Sequence, residues 1–464
     1  MVTCQDRLLV LVPHQDDELN IAGQILPFFI EEGYECRICF STNGDGFRSN
    51  GPIRLHEAME VADCLGVGRD NVIMLGFDDS LGPDHPYNRI SEESKGAAPL
   101  TTTYSDRVKC YSAQRSGRHL PQCRETLLSD ISHLLFSWLP RVIVCVDYDS
   151  HPDHRALSLA FESALDAVMR ENADYRPLVL KKFAYSSLWY GPADYYTFSP
   201  TVKPRLSSLG ALDNPMYAWE DRVCVAPHSS TITRSFFSNA VVGAAKRYKS
   251  QNAWWNMISV CNSDVVYWVR RTDDVVFDSE IEASSGDPSI LQSFLLFDSA
   301  DVCSDDAGSL AGRCFQFDKD DDQRRISVRF DKPSNIANVF LRESIGAFGL
   351  LDDIIVRIDS EAAYRMERSA VHPGRFELSL ESPVFARELS FCVGTAPDAS
   401  GIASVEAYPV CLDDYEPLKT FRGLMGDPVD MCPSRMRLER VLWQVARVTR
   451  KIENIKLKWR EKVN

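Results

Sequence analysis

LLVLVPHQDDELNIAG, Leu8 to Gly23, sets the reading of this chain. An unbroken aliphatic run stops at Pro13 and is followed without a spacer by a histidine, a glutamine and three consecutive acids. A continuous apolar run of that length reads as a buried strand, not as a strand with one face in water. Asp16, Asp17 and Glu18 repel one another, so the turn gains little from them unless a cation lies nearby. A metal ion is such a cation.

The same grammar recurs at RVIVCVDYDSHPDH, Arg141 to His154, where an apolar run ends in acids and two histidines. Between and beyond the two lie further strand candidates, CRICFS and NVIML. They alternate with helix candidates: Glu18 to Glu32 kinked at Pro27, RLHEAMEVADCLGV, Thr126 to Leu139, and His154 to about Arg170. Residues 1–265 are therefore expected to form an α/β domain, a Rossmann-like, mostly parallel sheet with helices on both faces. Such sheets bind ligands beyond the carboxyl ends of their strands, which is where both polar clusters fall.

From 270 to 410 short alternating segments such as RRISVRF, NVFLRES, IIVRID, RFELSL and ELSFCV recur between Gly, Pro, Asp and Ser clusters, predicting an antiparallel β-sandwich. A connector is expected over 411–434 and a helix over 435–464. In that helix Leu438, Val441, Val445, Val448, Ile452, Ile455 and Trp459 step alternately by three and four, a heptad seam. Ten Lys and Arg against three Glu make its other face basic. It suits packing on an acidic body, pairing in a homo-oligomer, or peripheral contact with an anionic membrane.

The formal charge of −15 opposes a nucleic-acid partner, which needs clustered Lys and Arg. The N-terminus shows no signal-peptide pattern and no apolar span reaches membrane length, so a cytoplasmic location is expected. Of the 14 cysteines, Cys36, Cys39, Cys64 and Cys145 fall in buried patterns. The lone CxxC, Cys36 to Cys39, lies in a strand where residues three apart face opposite ways, a poor zinc site. No GxGxxG follows the first strand, which disfavours a dinucleotide enzyme.

A divalent metal wants carboxylate and neutral imidazole on rigid elements, and His14, Asp17 and His154 offer three such ligands from two strand ends, leaving a position for water. Asp16 then points elsewhere and is free to take a proton. Asp153 can accept from an imidazole N–H and fix its tautomer. Taken separately, each cluster could be an acidic helix start or a hydrogen-bonded histidine. Their joint occurrence at two strand ends, 137 residues apart, argues for a site.

PHQDDE followed by HPDH, with Arg54, Glu57, Ala58, Ala62, Leu65 and Gly66, LGFDDS, and KRYKSQ, resembles the LmbE or PIG-L superfamily over about residues 7–260. These are zinc-dependent enzymes that remove N-acetyl groups from N-acetylglucosamine-containing substrates. The resemblance implies zinc on His14, Asp17 and His154, Asp16 as general base, His151 as the group stabilising the oxyanion, Asp153 as an orienter, and Arg54 and Asp79 at the sugar. Gln15 departs from the family's usual proline, which puts the rigidity of the turn in doubt. His85, His119 and His228, in the loops that would shape the pocket, are expected at the surface or against substrate.

ASSGDPSILQSFLLFDSADVC, RRISVRFDKPSNIANVFLRES and IIVRID resemble the discoidin-like or galactose-binding modules, a jelly-roll sandwich whose members bind carbohydrate, phospholipid or protein; the resemblance implies either a ligand there, carbohydrate first, or a packing or dimerisation domain with none. DKDDDQ could hold calcium, but it reads first as a solvated charge run. The leading expectation is a hydrolase acting on an N-acetylated amino sugar. Its rival is a catalytically idle carbohydrate-binding or scaffold protein.

Overall fold

The structure, a computed structural model, describes residues 6–46, 51–92, 110–184, 201, 214–304 and 310–426, apart from positions 119, 234, 255–256, 258–259, 262, 313, 360–361, 373 and 399. The expected helix over 435–464 and His119 lie outside the described residues.

In chain order the first unit contains β1 (Arg7–Val12), α1 (Asp17–Ile21), α2 (Leu26–Glu31), β2 (Glu35–Thr42), α3 (Gly51–Cys64), β3 (Val72–Phe77), α4 (Tyr111–Ser116), α5 (Arg124–Trp138), β4 (Val142–Val146), α6 (Pro152–Glu171), β5 (Leu178–Lys182), β6 (Val223–Val225), α7 (Ala240–Ala245) and β7 (Val265–Arg270). Its sheet has the order β3-β2-β1-β4-β5-β7-β6. The first five strands are parallel, while β7 pairs antiparallel with β5 and with β6. That antiparallel edge, running to Arg270, leaves the sheet mostly parallel, as the alternation predicts.

β1 is the hub. Leu8 to Val12 are fully buried on both faces, as their unbroken apolar run requires. Leu8 pairs with Cys36 on one side and Val142 on the other. The chain leaves β1 toward β2 while β4 lies on its opposite flank, so the crevice between β1 and β4 is the switch point where ligands bind in open sheets. The in-register pairing delivers His14 and the Asp149–His154 turn side by side.

One helix expected over Glu18 to Glu32 is two, α1 and α2, because Pro27 lacks an N–H and sits in the first turn of α2 instead of kinking a continuous helix.

The second unit contains β8 (Glu280–Ala283), β9 (Phe297–Ser299), β10 (Leu310–Gly312), β11 (Arg325–Glu343), β12 (Asp352–Ile358), β13 (Ala362–Arg365), β14 (Glu367–Arg368), β15 (Arg375–Thr395) and β16 (Ile402–Tyr408), followed by α8 (Glu416–Met425). Segments that read as separate short strands are fused: RRISVRF continues through Lys332–Pro333 into NVFLRES as β11, and RFELSL into ELSFCV as β15. Register shifts near Arg329 to Ser334 and Ile336 to Asn338 let both strands bend and change layers instead of turning back. The early half of β11 pairs with β8 and its late half with β16, while β15 pairs with β14 early and β12 late. The two layers so made enclose one core containing Val328, Leu341, Phe376, Phe391 and Val405. This is the expected antiparallel sandwich.

The stretch expected as a connector contains α8, whose Leu418, Phe421 and Met425 are buried in the core of the first unit. Their spacing of three and four puts them on one face. Among the described residues no helix is long and apolar enough to cross a membrane.

Candidate metal centre

The turn after β1 is tied down at each residue. Asp16 adopts φ 135°, a left-handed conformation unusual for a non-glycine, and its N–H donates to Glu18 Oε2 at 2.9 Å. Glu18 in turn accepts from Tyr248 Oη at 2.6 Å. Gln15 is fully buried and its Nε2 donates to Thr42 O at 2.9 Å. That bond to the end of β2 restrains the turn where proline would have. Gly44 is required opposite: at φ 66°, a Cβ there would come within 2.1 Å of Gln15 Oε1.

The other side of the crevice is the start of α6. His151 is its N-cap, accepting from Asp153 N at 3.2 Å, and Pro152 occupies the first turn. Asp149 accepts from His151 N at 2.9 Å and bonds His154 Nδ1 at 2.8 Å.

The imidazoles and carboxylates converge between these two turns. Asp17 Oδ2 lies 3.1 Å from His14 Nδ1 and 3.2 Å from His154 Nε2, while buried Asp17 Oδ1 has no hydrogen-bond partner among the described residues. Ligand atoms sharing a tetrahedral metal at ~2.0–2.1 Å stand roughly 3.3 Å apart, so these two spacings and the orphaned oxygen fit a zinc-sized ion. Asp153 Oδ2 is 3.0 Å from His14 Nε2, and Asp79 Oδ1 is 3.5 Å from the same nitrogen. The His151 ring sits edge-on to His14, with centroids 4.7 Å apart. His14, His151 and His154 also form a set close enough to share an ion, as do His14, Asp79, His151 and Asp153.

The bonds fix the tautomers of the neutral rings. His151 Nδ1 accepts from Asp153 N, so its proton is on Nε2. His154 Nδ1 faces Asp149 and His14 Nε2 faces Asp153, so each presents the lone pair of its other nitrogen toward Asp17.

Electrostatics sharpen the division of roles. Desolvation, then repulsion from Asp17, raises the Asp16 carboxyl to about 7. Burial would also raise Asp17, but the charge of His154 and the bond from His14 outweigh it and hold Asp17 well below the usual carboxylate range. Burial would lower His14; its bonds to Asp153, Asp17 and Asp79 reverse that and raise it well above normal. Burial would lower His154 too, yet Asp149 and Asp17 lift it to about 9. His151 is pushed down to about 3 by desolvation and by its two neighbouring histidines. The cluster thus attracts positive charge at His14 and His154 and keeps His151 neutral.

Arg54 is buried, donating to Gly44 O, Gln15 O and Gln251 Oε1 at 3.1, 3.2 and 2.8 Å, and its Nη1 is 3.7 Å from Asp79 Oδ2. Expected at the sugar, it braces the site walls. Glu57 accepts from Ser250 N and Oγ at 2.9 and 2.6 Å, so α3 and the KRYKSQ segment lock together.

His85, expected at the surface or against substrate, is buried. Its Nε2 lies 2.9 Å from Asp153 Oδ1 while its Nδ1 accepts from Tyr87 N. A buried aspartate at the centre needed a second donor, and the chain supplied it from the loop after β3. His228 ion-pairs with Glu31 at 3.1 Å and packs on Phe28.

The sequence reading missed Asp149, His85 and Arg155. The first had a signal: an acid just before the N-cap of a helix that carries a ligand is placed to bond that ligand. Arg155 had none. Its Nε donates to Asp149 O at 2.7 Å and its Nη1 to Val302 O and Ser304 O at 3.0 and 2.9 Å. The 297–304 strap, which begins with β9 of the second unit, also takes Tyr87 Oη on Asp298 at 2.8 Å and Asn88 Nδ2 on Asp301 at 2.6 Å. It therefore holds the loop bearing His85 and the turn bearing Asp149 at once.

Residues 9–165 match the family model described as PIG-L, GlcNAc-PI de-N-acetylase. No curated protein sequence matches the chain. Among solved structures, the family 32 CBM from C. perfringens NanJ in complex with galactose is 10% identical, covering 29% of this chain and 97% of its own at a TM-score of 0.22. N,N'-diacetylchitobiose deacetylase from Pyrococcus horikoshii, with its inhibitor MPG, is 18% identical over 39% of this chain and 61% of its own, TM-score 0.27. A deacetylase of the teicoplanin biosynthesis pathway is 18% identical over 54% and 87%, TM-score 0.30.

Proposed function

We propose, on the premise that residues 9–165 are a PIG-L/LmbE domain, that this protein is a zinc-dependent hydrolase that removes an N-acetyl group from an N-acetylhexosamine-containing substrate. The observation that carries the reading is the Asp17 carboxylate: one oxygen about 3 Å from an imidazole nitrogen on each side, the other buried without a partner among the described residues.

His14, Asp17 and His154 would hold the zinc. When bound, it supplies a Lewis acid that polarises an amide carbonyl and eases ionisation of water near neutrality. Asp16, strained out of the ligand set and raised toward neutrality by desolvation, takes the proton of the attacking water. His151, kept neutral with its proton on Nε2, donates to the oxyanion that develops on the carbonyl. Asp16 then returns the proton to the departing amine, so acetate and a free amino sugar are the products. Asp153, itself held by His85, holds the His14 ring, and Asp149 holds His154. Asp79, partly exposed above Arg54, is the sugar contact.

The test is acetate release by the full-length protein from UDP-, lipid- and oligosaccharide-linked N-acetylglucosamine and N-acetylgalactosamine, with chelator and with zinc restored. Chelator-sensitive acetate from any member is expected. Silence from zinc-loaded protein across the panel would overturn the substrate class. Turnover that persists in Asp16→Asn would remove Asp16 from its role.

A further inference from the structure

The outer face of the sandwich lies against the antiparallel edge of the first sheet without closing on it completely. Between β7 and strands β11, β15 and β16 is a cavity of about 150 Å³. A space of that volume takes one six-membered ring.

Two kinds of wall surround it. Trp268, Tyr217, Phe340 and Tyr408 give it aromatic surfaces, and Tyr217 lies nearly parallel to Trp268, at 12° with centroids 6.0 Å apart. Arg270, Arg342 and Asn338 add polar edges. The wall is pre-set before any ligand arrives. Trp268 Nε1 donates to Ala218 O at 2.8 Å, Arg342 forks onto Glu406 at 2.9 and 3.3 Å, and Arg375 grips Asp221 at 3.0 and 3.1 Å. Because those guanidiniums already face carboxylates, the cavity does not call for an ionised guest.

Two buried polar atoms on its lining are nevertheless left over. Tyr217 Oη and Arg270 Nε have no hydrogen-bond partner among the described residues. Each carries a hydrogen to give, and buried donors are rarely left unpaired. A hydrocarbon ring would leave both unsatisfied. Water would satisfy them but gain nothing from four aromatic side chains. A guest that uses both has apolar faces and acceptor oxygens on its edge.

We propose that this cavity between the two units is a binding site for a single sugar ring, a hexopyranose whose C–H face packs on the aromatic wall and whose oxygens accept from Tyr217 Oη and Arg270 Nε. None of its lining residues belongs to the metal centre, so the site stands apart from the deacetylase reading and holds whether or not that reading does.

The experiment is binding of galactose, glucose and N-acetylglucosamine, in turn, to the full-length protein by calorimetry or saturation-transfer NMR. At least one should bind saturably with a dissociation constant of about 1 mM. Tyr217→Phe deletes only an unpartnered hydroxyl, so the fold stays and affinity falls about three- to ten-fold, the loss of one hydrogen bond. Asp16→Asn, at the metal centre, should leave that affinity unchanged. No saturable binding of any of the three overturns the proposal. So does equal binding by wild type and Tyr217→Phe, which would put the sugar elsewhere on the sandwich, or loss of binding in Asp16→Asn, which would put it in the metal centre.

Discussion

Two buried ionic clusters lie on neighbouring strands of the first sheet, and they are completed in opposite ways. Around β5, Lys181 is fully buried with its ammonium 2.8 Å from Ser158 Oγ, 3.2 Å from Glu162 and 3.6 Å from Asp147. Asp147 is further capped by Ser158 Oγ at 2.9 Å and Asn214 Nδ2 at 3.2 Å. The cation there is covalently part of the chain. Beyond β1 and β4, Asp17, Asp149 and Asp153 are met chiefly by imidazoles, whose charge is conditional, and Asp17 Oδ1 has no partner among the described residues. Buried carboxylates with a permanent built-in cation are architecture, whereas those facing titratable nitrogens await an exchangeable cation, a proton or a metal ion.

The largest effects expected should break the conditional cluster. Asp17→Asn removes the shared oxygen, so zinc content falls to background and turnover falls further than in Asp16→Asn. Asp16→Asn should keep its zinc by atomic absorption and lose about 10²- to 10⁴-fold in kcat. In the wild type, kcat/KM should rise with pH along an acidic limb whose midpoint lies no higher than about 7, since a bound cation lowers the Asp16 carboxyl from its metal-free position. That limb should be missing from the residual activity of Asp16→Asn. A limb that survives the substitution belongs to another group.

The permanent cluster is tested by stability. Lys181→Met leaves Glu162 and Asp147 buried without their cation and should cost about 3–5 kcal/mol by urea unfolding. Zinc affinity measured on the folded fraction should barely move. If stability were unchanged, the contrast between the two clusters would fail.

Smaller effects come from the orienting bonds. Asp149→Asn keeps the shape but weakens the hold on His154 Nδ1, and zinc affinity in chelator competition should fall about 10- to 100-fold. The last is a pH dependence. Without metal, the folded-state pKa of His154 is raised to about 9 from 6.5, so the stability it contributes is full below 6.5 and lost as pH rises through 9. Zinc requires the neutral ring, so the stabilisation by zinc, read as a rise in Tm, should grow from pH 6.5 to pH 9, its free energy by about 1.4 kcal/mol per pH unit for each proton displaced. A rise that shrank with pH would contradict the ligand assignment.

Much of the centre was legible because it is local. HQDDE and HPDH each place their donors within one turn, and both turns follow apolar runs that can only be interior strands, so the sequence alone pointed to where they would emerge. What stayed hidden arrives from far along the chain. His85 looked like a loop residue because nothing in GPDHPYNR reveals that Asp153 has a free oxygen. Arg155 looked like a helix residue because its acceptors, Val302 and Ser304, are carbonyls about 150 positions away. The long sandwich strands were misjudged as pairs of short ones since Lys332–Pro333 reads locally as a turn, while pairing with β15 on both sides of it keeps the strand going.

By itself, then, the sequence determined the two architectures, their order, and which side chains stand at the ends of β1 and β4, because hydrophobic periodicity and turn chemistry act over a few residues. Only the tertiary structure decided how those side chains are charged and held: the tautomers, the orphaned oxygen of Asp17, the strap across α6 and the cavity against the sandwich. Each depends on desolvation and on hydrogen bonds between residues up to hundreds of positions apart, quantities that no local pattern encodes.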